Sequence, residues 1–218
     1  MTWVLGNLDL IWGLLLQHLA FALPPIVIGL VLAVPLGWLA NRNPLVRSTL
    51  LNISGLLYTI PSLALFVLLP PLLGTGILNP ANVIVALTVY TVALLVRTVA
   101  DGLSAVPSIV VNSATAMGYT PFRRFVGVEL PMAVPVILAG LRVASVSAIS
   151  LVTVGAVIGF GGLGKMFTDA FQRDIPAETI AGIVLVLLLA VVLDGLILLA
   201  GRALTPWTRV GPSVGRPA

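Results

Sequence analysis

The 49 residues from Ser48 to Val96, STLLNISGLLYTIPSLALFVLLPPLLGTGILNPANVIVALTVYTVALLV, contain no Asp, Glu, Lys or Arg. A helix crosses the hydrocarbon core of a bilayer with about 20 apolar residues, so this run is long enough for two spans. Its middle gathers Pro70-Pro71, Gly74-Thr75-Gly76 and Asn79-Pro80, turn-forming residues at which the chain is expected to reverse. One span is therefore predicted at 49–72 and the next at 81–100.

The same criterion predicts three more spans, His18–Ala40, Ala133–Gly159 and Thr179–Leu204, the last interrupted only by Asp194 and Arg202. The fold class expected is an all-α integral membrane bundle of about five helices, with residues 1–218 forming one transmembrane domain. Composition agrees. Only 8% of the residues are charged and 59% are apolar, against roughly 25% and 45–50% in a soluble domain. Met1 to Asp9 holds no Lys or Arg, so a cleaved signal peptide is not expected and the N-terminus reads as retained. Residues Trp3–Gln17 read as a short helix lying at the interface.

The basic residues set the orientation. Arg42, Arg47, Arg97, Arg123, Arg124, Arg142, Arg202, Arg209 and Arg216 fall on one side, with only Lys165 and Arg173 on the other. Nine against two (seven against two without Arg97 and Arg142, at span ends) puts the N-terminus outside and the C-terminus inside. The net charge of +4 then reads as cytoplasmic charge; its scatter forms no nucleic-acid patch. Cysteine is absent and there is one His, which excludes thiolate metal sites, disulfides and Cys nucleophiles. Gly29, Ala33 and Gly37, and again Gly140, Ala144 and Ala148, recur at four-residue spacing, as close helix packing in lipid requires.

Residues 102–131, the longest inside connection, do not read as a plain loop. Pro107 suits the first turn of a short helix, Pro107–Met117, and Gly118 its left-handed cap. Thr120-Pro121 reads as the N-cap and first residue of a second short helix, and Leu130-Pro131 as the close of the unit. Such a knob, with Arg123, Arg124 and Glu129 nearby, is suited to being pushed by another protein.

The string Asn112-Ser113-Ala114-Thr115-Ala116-Met117-Gly118, nine residues, then Val128-Glu129-Leu130-Pro131, resembles the coupling motif of ABC importer permeases. Ala114, Gly118, Leu130 and Pro131 fall in register. Asn112 stands where that family usually has Glu, and Val128 where it has Ile. Tyr58 to Leu65 (YTIPSLAL), Glu129 to Arg142, and Ala156 to Gly164 (AVIGFGGLG) are similar to the osmoprotectant branch, which imports glycine betaine, carnitine, choline or related solutes. The resemblance implies a type I importer permease in the inner cell membrane. Its implied partners are two ATPase subunits docking on Asn112, Ala114, Gly118, Arg123, Arg124, Glu129, Leu130 and Pro131, a related or identical second permease, and an extracytoplasmic solute-binding protein. ATP and Mg would sit on the ATPase, with no cofactor bound by this chain and no enzyme activity of its own. The Asn at 112 leaves both a homodimer and a heterodimer open.

Gly159-x-Gly161-x-x-Gly164 matches a dinucleotide fingerprint, and Gly164-Lys165 nearly completes a P-loop. Both need a preceding strand of a soluble α/β unit, whereas a membrane helix precedes them here. Gly159, Gly161, Gly162 and Gly164 are read instead as a turn at the external gate. Tyr58, Pro61, Ser62 and Tyr90 are candidates for the translocation path; Trp38 and Phe66 are further aromatics able to meet a quaternary ammonium, or simply to pack. Asp194 is expensive in lipid and is expected either to pair with Arg97 or Arg142 or to lie near the inner interface. Arg97 and Asp101 are spaced for a helix-surface pair, and His18 is expected at the outer interface, not on a metal. A secondary transporter would need more coupling-ion groups, and a membrane enzyme a cluster of His, Asp, Glu or Cys.

Overall fold

Asn7 separates two helices, α1 (Thr2–Gly6) and α2 (Leu8–Ala40), with its Nδ2 donating to Trp3 O at 2.7 Å. The computed structural model describes residues 2–209; Met1 and Arg216 lie outside them. Nothing between Leu8 and His18 stops a helix, so the first span starts ten residues before the predicted His18 and absorbs most of the expected interfacial helix over Trp3–Gln17. At 33 residues it is about 50 Å long, longer than the ~30 Å hydrocarbon core. Pro24, Pro25 and Pro35 lie inside it, as membrane helices tolerate.

The predicted span 49–72 is not one rod. Helices α3 (Pro44–Thr59) and α4 (Ser62–Leu73) meet at a 101° bend. Ile60 and Pro61 are extended there (ψ 128° and 132°), because the ring of Pro61 drives the residue before it out of the helical region. The expected reversal follows. Gly74 caps α4 in the left-handed region, and Asn82, fully buried, donates from Nδ2 to Gly76 O and Ile77 O while accepting from Thr75 Oγ1. Asn79 then caps α5 (Pro80–Ser104), accepting from Ala81 N–H at 3.0 Å.

Past α5 come α6 (Ser108–Ala116), α7 (Pro121–Arg124), a π turn over Phe125–Glu129, and α8 (Leu130–Gly155). Leu130-Pro131 does not end a unit. From Pro121 the chain runs helical through to Ile158, so the span predicted from Ala133 begins twelve residues earlier. A proline clashes with the carbonyl four residues back; the wide π turn, where Leu130 N–H reaches Phe125 O, makes the room. After a 3-10 turn at Ala156–Ile158 come α9 (Lys165–Arg173), α10 (Pro176–Leu204) and a last 3-10 turn, Pro206–Arg209. No strand occurs among the described residues. Four of their helices are long and apolar enough to cross a membrane, and the bent α3–α4 pair, counted as one span, brings the number to five.

Helix α5 is the centre of the packing. Gly29 and Gly37 of α2 press on Thr91 and Val99; a Cβ at either would clash with those side chains. Gly140 of α8 sits likewise against Thr98, with Ala33, Ala144 and Ala148 almost fully buried in the same seams. Both predicted small-residue ladders therefore face α5. Helix α10 buries little, and its outer face is a strip of exposed residues such as Leu187 and Val191.

Candidate functional site

The arginine-rich end of the bundle carries the knob. Helix α6 begins after Pro107 and closes in a Schellman motif: Tyr119 N–H bonds Ala114 O, and Gly118 N–H bonds Thr115 O. Gly118 takes φ +85°, a conformation glycine adopts without a Cβ penalty. Thr120 caps α7, accepting from Arg123 N–H. Ala114 is buried, whereas Asn112, Gly118 and Arg123 are exposed.

Arg124 and Glu129 turn inward. Arg124 Nε pairs with Glu129 Oε1, and its Nη1 donates to Thr115 Oγ1 at 2.7 Å, which locks α6 to the π turn. Glu129 is 6% exposed, so this pair braces the knob from within. Leu130 and Pro131 lie half-buried just beyond. Trp38, at the end of α2, stacks on Phe125 (centroids 5.0 Å apart) and carries the Arg42 guanidinium 4.0 Å from its ring centroid. The outward surface is apolar: Ile109, Met117 and Phe122 are 71%, 70% and 66% exposed. Large hydrophobic groups exposed at a bundle's polar end are available for contact with another protein.

At the bend, the carbonyl of Ile60 has lost its helical partner, and the Tyr90 hydroxyl donates to it. The Tyr58 and Tyr90 rings meet edge to face at 5.9 Å. Tyr58 presents its ring at the surface while Tyr90 is enclosed. Pro61 is exposed and Ser62 half-buried at the start of α4. Phe66 is fully buried, so of the aromatics able to meet a cation it serves packing.

At the opposite end, the glycine turn is fastened to α2. Gly162 N–H donates to Gln17 Oε1 at 3.0 Å, and Leu163 N–H to His18 Nδ1 at 3.2 Å. The His18 proton then sits on Nε2, which donates to Ile149 O at 3.1 Å. Contrary to the sequence expectation of an interfacial residue, His18 is fully buried: its ring satisfies a turn amide that would otherwise be orphaned and adds a second bond to a helix carbonyl. Gly159 and Gly162 take φ +92° and +81°. Gly161 has no room for a Cβ beside Gln17, nor Gly164 beside Thr153 O. The sequence signal for this fastening was a Gln-His pair within an apolar run.

The other charges also find partners. Asp194 accepts two bonds from Arg142, at 2.6 and 2.7 Å, one of the two arrangements anticipated. Asp101 belongs mainly to Arg47, which also donates to Ala100 O. The expected Arg97 contact is a loose 3.9 Å, since Arg47 from α3 reaches the same carboxylate more closely. No cluster of three His, Cys, Asp or Glu suited to a metal occurs among the described residues.

A bundle of apolar helices around α5, a sharply bent helix pair and an internally braced knob at the arginine-rich end define a protein built to sit in a membrane. Residues 25–206 match the binding-protein-dependent transport system inner membrane component, and the chain belongs to that family. It is 36% identical over 87% of its length, and 86% of the relative's, to the choline transport system permease protein OpuBB of Bacillus subtilis. It is 35% identical to the osmoprotectant import permease protein OsmW of Salmonella typhimurium, over 94% and 96%. Among solved structures, an inward-facing form of the MetNI methionine ABC transporter superposes with a TM-score of 0.75 at 27% identity, over 92% of this chain and 97% of that one. The chain is thus a multi-pass inner-membrane permease of the ABC type.

Proposed function

We propose that this chain, as one transmembrane domain, forms half of the permease of an ATP-driven importer for small osmoprotectants such as choline, glycine betaine or carnitine. The names and similarity of the relatives support the solute class. The arginine count supports a C-terminus and knob in the cytoplasm and a glycine turn facing an extracytoplasmic solute-binding protein. Two ATPase subunits, holding ATP and Mg, dock on the two knobs of an identical or related permease pair. This chain carries no catalytic group of its own. Binding and release of ATP move the knobs, and the bundle alternates between receiving solute and releasing it, past the broken span at Tyr58, Pro61, Ser62 and Tyr90.

The observation that carries this reading is the apolar cap on the knob. Ile109, Met117 and Phe122 stand exposed, on an element closed by the Schellman motif at Gly118 and locked in shape by Arg124. The permease is to be co-expressed with its ATPase and purified through a tag on the permease. Replacing Met117 and Phe122 together by Asp should reduce co-purified ATPase at least tenfold while permease yield holds. Undiminished co-purification and uptake would refute the docking surface. The superposition on a methionine transporter favours a second reading, import of another amino-acid-like solute; uptake assays with choline and methionine separate the two.

A further inference from the structure

We propose that the face of α8 and α10 around Arg142 and Asp194 forms part of the wall of a water-filled solute path. The inference rests on the transport reading above and deepens it by naming a stretch of the wall and the chemistry it offers.

Arg142 lies at the midpoint of α8, and Asp194 lies ten residues before the end of α10, so the pair sits deep in the apolar span. Buried ion pairs in a bundle are normally walled in by packing. This one is open: the side chains are 40% and 30% exposed. They border an open surface groove of about 430 Å³ lined by Ala139, Arg142, Val143, Val146, Ser147 and Asp194. Charged groups at this depth face a bundle interior or a water-filled cavity, because hydrocarbon solvates them poorly. The exposed surface of α10 on either side of Asp194 obeys the opposite rule: Leu187, Leu188, Val191 and Leu199 are apolar, as contact with lipid demands, and the next charge, Arg202, comes only in the last turn. The polar notch breaks that pattern at one place.

The pair also suits passage. Each group satisfies the other through two parallel bonds, so the wall is polar yet close to neutral. It offers a small quaternary-ammonium or zwitterionic solute weak contacts without a deep trap.

Because the sequence has no cysteine, single-cysteine variants are clean probes. Ser147→Cys and, as a second position on the notch, Val146→Cys are made in the assembled transporter in proteoliposomes, with Val191→Cys as the lipid-facing reference. Each is treated with a membrane-impermeant trimethylammonium thiosulfonate, with and without ATP. A thiol reacts as its thiolate, which needs water to form. At least one notch position should label ten times faster than Val191→Cys in one of the two states, and choline should slow it. Labelling of both notch positions by a lipid-soluble maleimide alone would place the notch in lipid. Failure of both reagents at both positions would mean that lipid or a packed protein surface keeps water from it; either result overturns the inference. Uptake is read on the same vesicles. ATP-dependent uptake without notch labelling sinks this inference alone, whereas uptake that ignores ATP and follows an ion gradient sinks the transport reading itself.

Discussion

His18 reaches a carbonyl 131 residues away in the sequence and an amide of the glycine turn. One neutral imidazole can serve both, because its two nitrogens play opposite roles. Replacing it by Ala leaves the buried Leu163 N–H without a partner, at a cost of about 1–3 kcal/mol, while Ile149 O keeps its bond within α8. His18→Ala should therefore lower the melting temperature of the detergent-purified protein by several degrees; an unchanged melt would show that water takes over the bond to Leu163. Gly162→Ala places a Cβ at φ +81°, a strain of about 1–2 kcal/mol, and should be destabilising in the same assay, whereas Gly13→Ala, open on all sides, should not be. The glycine spacing was legible as a turn. The role of His18 was not, because hydropathy reports that a residue is polar and says nothing of a partner on another helix.

At the scale of elements, the sequence located the apolar segments but not their joints. Pro61 was visible, yet a proline inside a membrane span bends the helix or leaves it nearly straight according to who satisfies the freed carbonyl. Here Tyr90 does so, and the bend is 101°. Tyr90→Phe removes that hydroxyl and leaves Ile60 O orphaned beside the break. Solute uptake per permease should fall several-fold while membrane insertion is retained; full uptake would show that the bend is held by packing alone. The same limit explains Pro131. Proline as a helix stop is the ordinary reading, and it failed because a π turn, which has no sequence signature, preceded it. The left-handed Gly118 and the Thr120 cap were legible since each depends only on neighbours in the chain.

For the whole molecule, α5 is the element on which both small-residue ladders close, so the glycines facing it tolerate no growth. Gly37→Leu would drive a side chain into Val99, an overpacking that costs about 1–3 kcal/mol. It should cut the yield of folded permease on size-exclusion chromatography, while Gly55→Leu, with nothing near it, should not. The apolar segments and their order were readable because lipid imposes a single strong criterion on composition. The functional surfaces were readable only where a local motif marked them. The Arg124–Glu129–Thr115 brace brings together groups five and nine residues apart, and only the folded geometry reveals it.

The uninterrupted helical run from Pro121 to Ile158 has one further consequence. Only a change of helix type, at Phe125–Glu129 and at Ala156–Ile158, separates its foot, beside the knob, from its head, beside the glycine turn, so a displacement at the foot is carried along the helix toward the head. The wide turn at Phe125–Glu129 then fixes the phase of that shaft: deleting a single residue there would rotate every later side chain by about 100°, swinging Gly140 off its seat and aiming Arg142 in another direction.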